Sequence, residues 1–180
     1  MTKNQLANNI YKISNITGTF KLRSGIISNE YFDKYLFEAN PQIINQIAIK
    51  ACKLLPKNID CIAGLEMGGI PIATMISHYS KLSCLFIRKE AKEYGTCKYA
   101  EGGEVNNRRI VIIEDIVSTG GAIIDAVQKI RKDGGIVKDV ICIIDRETGG
   151  RENLSKIGLN LNQLFYKSEI EKYITKKISQ

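Results

Sequence analysis

Two adjacent carboxylates close an apolar run, and a turn rich in hydroxyls and glycine follows: Ile112-Ile113-Glu114-Asp115-Ile116-Val117-Ser118-Thr119-Gly120-Gly121-Ala122. Glycine lets backbone amides come close to an anion, and the free N–H groups at a helix start favour phosphate. Ser118 and Thr119 add hydroxyl donors. Glu114 and Asp115 at the mouth can accept hydrogen bonds from sugar hydroxyls or help hold a metal. Ser-Thr-Gly-Gly by itself reads most simply as a capped helix behind a surface acidic pair. With the carboxylates and an apolar strand in front of it, the segment reads as a phosphate cradle beside a polyol-binding acid pair. The GxxxxGK[ST] nucleotide loop is absent, so the cradle is of another kind.

Other residue types offer little competing chemistry. The five cysteines (Cys52, Cys61, Cys84, Cys97, Cys142) form no CxxC and fit no zinc spacing. Cys61, Cys84 and Cys142 lie in apolar runs and read as small core hydrophobes. The lone His78 builds no metal site alone. The net charge of +7 would suit nucleic acid, a membrane surface or a small anion. The basic residues are scattered among acidic ones, with no arginine-rich arm, so charge alone chooses no partner.

The elements that must hold the cradle follow from periodicity. Residues 2–15 read as a helix with Leu6, Ile10 and Ile13 on one face, and 17–33 as short extended pieces around a Ser-Gly turn. A second helix spans 41–55, with Pro41 suited to its first turn and Pro56 to its exit. An alternation then begins: strand 60–64, helix 70–80, strand 83–88, polar irregular chain 89–107, strand 108–115, helix 121–133 and strand 137–145. A fifth strand at 164–167 and a C-terminal helix complete the pattern. Near-continuous Val/Ile strands alternating with helices predict an α/β fold with a parallel sheet covered on both faces. Ligands in such folds bind beyond the C-terminal strand ends, which singles out loops 65–69, 88–103, 114–122 and 145–151. The 180 residues suit one domain. No apolar run approaches the roughly 20 residues that span a bilayer. With no apolar signal core at the N-terminus, the expected location is cytoplasmic.

The segment IVIIEDIVSTGGA resembles the phosphoribosyl pyrophosphate (PRPP) motif of the type I phosphoribosyltransferases. Further segments resemble the orotate phosphoribosyltransferases among them. Phe20-Lys21-Leu22-Arg23-Ser24-Gly25 with Ser28 and Tyr31-Phe32 looks like that family's N-terminal signature. Arg88-Lys89-Glu90-Ala91-Lys92 with Tyr94, Gly95, Lys98 and Glu101-Gly102 looks like its catalytic loop. Asp145-Arg146-Glu147-Thr148-Gly149-Gly150 looks like its D-R-x-x-G-G loop. With GLEMGGIPIAT at 64–74, the likeness runs from about residue 18 to 151.

The resemblance implies a type I phosphoribosyltransferase fold: a central parallel sheet flanked by helices, in a single domain of residues 1–180 whose residues 1–40 form most of a small hood. It implies that Glu114 and Asp115 hold the ribose hydroxyls, and that residues 118–122, with Ile116 and Val117 leading in, wrap the 5-phosphate. Arg23, Arg88, Lys89, Lys92 and Tyr94 would face PRPP, with Lys92 the main catalytic cation. Cations placed where the leaving diphosphate develops charge stabilise the transition state, and a closing loop excludes water. Tyr31, Phe32, Ser118 and Arg146 would border the base. The Arg146 fork suits the planar carboxylate that orotate carries and purines lack. Mg²⁺ is expected to ride on the diphosphate without dedicated protein ligands. A homodimer is expected whose loop reaches the neighbour's site, without nucleic acid or membrane partners. Two departures touch the diphosphate contacts: Tyr94 stands where many members carry His, and Gly68 where some carry Lys. The rival readings are a transferase for a purine or uracil and a non-catalytic PRPP-sensing module.

Overall fold

The computed structural model describes residues 1–21, 25–95 and 97–175. The first helix, α1 (Lys3–Ser14), starts at a capping box: the Thr2 side chain accepts from the Gln5 N–H, and the Gln5 side chain accepts from that of Thr2. Strands β1 (Asn15–Lys21) and β2 (Ile27–Phe32) then pair antiparallel as a separate, largely exposed ribbon. A short helix, α2 (Lys34–Glu38), is capped by the Asp33 carboxylate. Helix α3 (Pro41–Ala51) has Pro41 in its first turn and the Asn40 side chain on the Gln42 and Ile43 N–H groups.

The alternating part contains β3 (Cys61–Leu65), α4 (Gly69–Ser80), β4 (Ser83–Ile87), β5 (Ala100–Glu101), β6 (Arg109–Val117), α5 (Gly121–Lys132), β7 (Ile136–Asp145), α6 (Gly150–Lys156), β8 (Asn160–Tyr166) and α7 (Lys167–Thr175). Its sheet runs in the order β5-β4-β3-β6-β7-β8. All neighbours are parallel except β5, which lies antiparallel on the edge of β4. The α/β architecture expected from the sequence is therefore present, with one antiparallel edge added. Strand order reverses between β3 and β6, so a crevice opens beyond the ends of those two strands.

Two apolar layers hold the sheet. Ile62, Val111, Ile113, Ile141 and Ile143 face α1, α3 and α4, where Leu6, Ile10, Ile47, Ile72 and Ile76 are fully buried. Ile110, Ile112, Val140 and Cys142 face α5 and α6, through Ile123, Val127, Ile130 and Leu154. Each such side chain contributes about 1.5–3 kcal/mol on burial. Helix α1 thus belongs to the sheet's own core, and of the first 40 residues the ribbon stands furthest from it.

Three differences from the sequence reading have physical causes. Strand β6 continues to Val117 because Ile116 and Val117 pair with Ile144 and Asp145 of β7. Helices α2 and α6 are too short to show a periodicity of their own. Strand β8 begins at Asn160, earlier than its apolar end suggests, because alternate polar residues precede Leu164 and Phe165. Among the described residues, no helix is long and apolar enough to cross a membrane.

Candidate active site

A cavity of about 930 Å³ opens where the strand order reverses. Leu65 and Glu66 after β3, Ile87 to Glu90 after β4, and Glu114 and Ile116 to Ala122 from the end of β6 line it, together with one side of α5. Backbone shapes the cradle. Gly120 has φ +80°, a left-handed turn that glycine adopts without strain. Helix α5 begins there with no side-chain cap, so its first N–H groups stay available to an anion. The cradle rests on α6: a Cβ on Gly150 would lie 2.4 Å from the Ser118 carbonyl oxygen, and the Asn153 amide donates to the Thr119 carbonyl at 3.1 Å.

The two acids part company, as successive strand residues do. Glu114 lines the cavity, with Oε2 enclosed and unpartnered. Asp115 is fully buried and does not line it. Its Oδ1 accepts the Ile116 N–H at 2.5 Å, and its Oδ2 meets the Lys34 ammonium from α2 at 2.5 Å. Glu38, one turn further along α2, is buried beside them. Burial, with the Asp115 carboxyl adding to it and Lys34 opposing, pushes the Glu38 carboxyl up to about 9. Burial and then the Asp115 charge hold Glu114 well above the usual carboxylate range. For Lys34, burial alone would lower the ammonium, but the hydrogen bond and charge of Asp115 outweigh it and raise it. Lys34 and Glu38 escaped the sequence reading because five helical residues give no pattern to read.

The cationic loop is only partly at the cavity. Arg88 and Lys89 line it, whereas Lys92 and Tyr94 do not. The Arg88 N–H donates to the Tyr99 carbonyl at 2.7 Å, which brings the loop's two arms together. Lys92 is held by the Glu101 carboxylate, whose Oε1 also faces Arg88 Nε at 3.6 Å. Tyr94 is 75% exposed. Lys129 and Lys132 of α5 also line the cavity, and Lys129 donates to the Lys89 carbonyl at 2.9 Å. Their signal was in the sequence: Asp125, Lys129 and Lys132 recur at helical spacing on the face that starts at the cradle.

Of the expected base-binding residues, Ser118 lines this cavity, whereas Tyr31, Phe32 and Arg146 do not. Tyr31 is half exposed, with its ring 5.5 Å from that of Phe20, while Phe32 packs against Phe37 at 6.4 Å. Arg146 is exposed on the loop after β7, its N–H donating to the Val117 carbonyl at 2.8 Å. Arg23 lies outside the described residues.

Residues 36–165 match the family described as the phosphoribosyl transferase domain. An orotate phosphoribosyltransferase of Nocardioides sp. (strain ATCC BAA-499 / JS614) is 47% identical over 166 residues, 92% of this chain and 93% of that protein. The chain belongs to the orotate phosphoribosyltransferases. Another member, from Methanocaldococcus jannaschii, is 35% identical over 94% of this chain and 97% of its own length. The Mycobacterium tuberculosis orotate phosphoribosyltransferase, solved in complex with inorganic phosphate, superposes with a TM-score of 0.83 at 25% identity, covering 93% of this chain and 97% of that one. Family membership agrees with the architecture and with a cavity suited to small anionic molecules.

Proposed function

We propose that this chain is an orotate phosphoribosyltransferase, transferring the phosphoribosyl group of PRPP to a ring nitrogen of orotate to give orotidine 5′-monophosphate and diphosphate in pyrimidine biosynthesis. The observation that carries the reading is the meeting, in one cavity, of an uncapped helix start after Gly120, the Glu114 carboxyl and the Arg88–Lys89 pair. In this reading residues 118–122 hold the 5-phosphate through backbone N–H groups and hydroxyls. Glu114 accepts from the ribose hydroxyls, and Arg88 and Lys89 face the diphosphate. The bond from ribose C1 to diphosphate breaks as the bond to the orotate nitrogen forms. Cations around the departing oxygens stabilise the charge that develops there.

Lys92, held by Glu101 outside its own cavity, fits a role at a neighbouring site better than one at its own. This supports a homodimer whose loops cross the interface. Arg146 and the Tyr31–Phe32 pair would border orotate, Arg146 offering its fork to the carboxylate.

The described residues hold no group of three or more His, Cys, Asp or Glu suited to a metal. The Glu114 carboxyl on the cavity wall nevertheless offers oxygen of the kind a hard cation carried in on substrate oxygens would take. Bound there, Mg²⁺ would neutralise diphosphate charge. A substrate so highly charged does not cross a bilayer unaided, which favours a cytoplasmic enzyme.

A turnover assay with PRPP, Mg²⁺ and orotate, uracil, adenine or hypoxanthine tests the reading. Orotate should be consumed with diphosphate release and the other bases should not. Turnover of a purine or uracil in preference to orotate would reassign the base. PRPP binding without turnover of any of them would favour the sensing module.

A further inference from the structure

We propose that Lys34 is a positioning residue for the phosphoribosyl site, acting through Asp115, and that position 68 must lack a side chain for this contact to exist. The inference rests on the functional reading above. Three independent geometric facts converge on it.

First, the Asp115 carboxylate, fully buried, is bridged between α2 and its own strand end. Oδ2 meets Lys34 Nζ at 2.5 Å, and Oδ1 accepts the Ile116 N–H at 2.5 Å. Ile116 is the penultimate residue of β6, two before the cradle begins, and Glu114, on the other side of Asp115, is the acid that reaches the cavity. A shift of Asp115 therefore moves both.

Second, Lys34 is the cation that Oδ2 meets, and the Glu38 carboxyl beside it is buried with its proton held to high pH, so it can offer Asp115 a hydrogen bond but no balancing charge. Removing the ammonium would leave an uncompensated buried carboxylate, a far larger penalty than the loss of a surface ion pair.

Third, a Cβ built on Gly68 would lie 1.6 Å from Asp115 Oδ2 and 2.9 Å from Glu38 Oε1. Gly68 has an ordinary helical φ of −68°, so backbone conformation does not demand glycine there. The demand comes from the carboxyl groups that fill the space.

Lys34 is also well placed to pass information along the chain. It stands two residues after Phe32, and its own backbone begins the helix that the Asp33 carboxylate caps at the Tyr35 N–H, 3.0 Å away. The ammonium lies 5.1 Å from the Tyr35 ring centroid, which limits where it can go. One ion contact thus ties the end of the N-terminal ribbon to the base of the phosphate cradle.

The test is PRPP binding with Mg²⁺ by calorimetry, together with KM for PRPP and for orotate, on the full chain and on Lys34→Met, Lys34→Arg, Asp115→Asn, Gly68→Ala and the Lys34→Met/Asp115→Asn double variant. Lys34→Met should weaken PRPP binding by at least about 10-fold, the scale of one hydrogen bond to a charged group. KM for orotate should change much less, and Lys34→Arg should restore most of the loss. Gly68→Ala should weaken PRPP binding in the same direction. The double variant should be no worse than Asp115→Asn alone within about 3-fold, because the two residues act as one unit.

Unchanged PRPP affinity in Lys34→Met, or fully additive losses in the double variant, overturns the proposal. If Lys34→Met fails to fold, Gly68→Ala and Lys34→Arg decide it: normal PRPP affinity in Gly68→Ala overturns it. A wild-type chain that binds no PRPP overturns the functional reading and this inference together, whereas normal wild-type binding with an indifferent Lys34 overturns this inference alone.

Discussion

Glu38 and Lys92 are the side chains whose surroundings make the sharpest demands. The Glu38 carboxyl is buried and its proton affinity is pushed from the ordinary 4.5 to about 9, first by burial and then by Asp115. A group whose folded-state value is raised binds more protons folded than unfolded, so its contribution is complete below pH 4.5 and drains away as pH climbs towards 9. Glu38→Gln keeps the shape and cannot ionise. Thermal midpoints of the unliganded protein measured from pH 5 to 9 should therefore fall more steeply for wild type than for Glu38→Gln. Parallel curves would show that Glu38 is ionised in the folded protein throughout. For Lys92 the proposed requirement is a different one, charge stabilisation in the transition state. Lys92→Ala should lower kcat by at least about 100-fold with modest change in PRPP affinity, the scale for deleting one such stabiliser. Steady-state kinetics showing wild-type turnover would remove Lys92 from the chemistry.

At the scale of elements, the cradle is a product of packing between α5 and α6 as much as of its own glycines. The bare Gly150 lets the first turn of α6 close against the Ser118 carbonyl and the Val117 side chain, at 2.4 and 2.6 Å from a would-be Cβ. Gly150→Ala should therefore destabilise the fold by about 1–3 kcal/mol, as overpacking does. It should also weaken PRPP binding, because the displaced oxygen belongs to the cradle. Chemical denaturation and calorimetry measure the two effects separately, and a normal phosphate site in Gly150→Ala would sever the link between them. By contrast, Gly121 meets nothing within 4 Å. Packing within the protein therefore does not demand glycine at that position.

For the whole molecule, the distribution of cations is the telling feature. Arg88, Lys89, Lys129 and Lys132 surround the cavity of their own chain, but Lys92 and Tyr94 are held away from it, Lys92 on Glu101. The proposed homodimer with exchanged loops would account for this arrangement. It predicts that two inactive proteins, Lys92→Ala and Glu114→Gln, regain activity when mixed under conditions that exchange subunits. Random pairing makes half the dimers mixed, each with one intact site of two, so about a quarter of wild-type turnover should return. Mixing that restores nothing, with subunit exchange verified by a tagged partner, would place each loop at its own site.

Much of this protein is determined locally. The short apolar run of β3 and the Val/Ile runs of β6 and β7 read as buried strands, and the Glu114–Asp115 pair followed by Ser118 to Gly121 could be recognised as a sugar-phosphate motif without coordinates, because strand burial and anion binding by free amides are both short-range properties. Lys34 and Glu38 could not be found in this way. They lie on a five-residue helix some 80 positions before Asp115, and only the folded core around Phe37 brings them to it. The division of labour within the acid pair was equally hidden. Identical chemistry at adjacent positions becomes one cavity residue and one buried anchor only because the strand's two faces meet different neighbours, the open cavity on one side and α2 on the other. Chain-local chemistry named the motif, whereas long-range burial and charge pairing assigned its members their tasks.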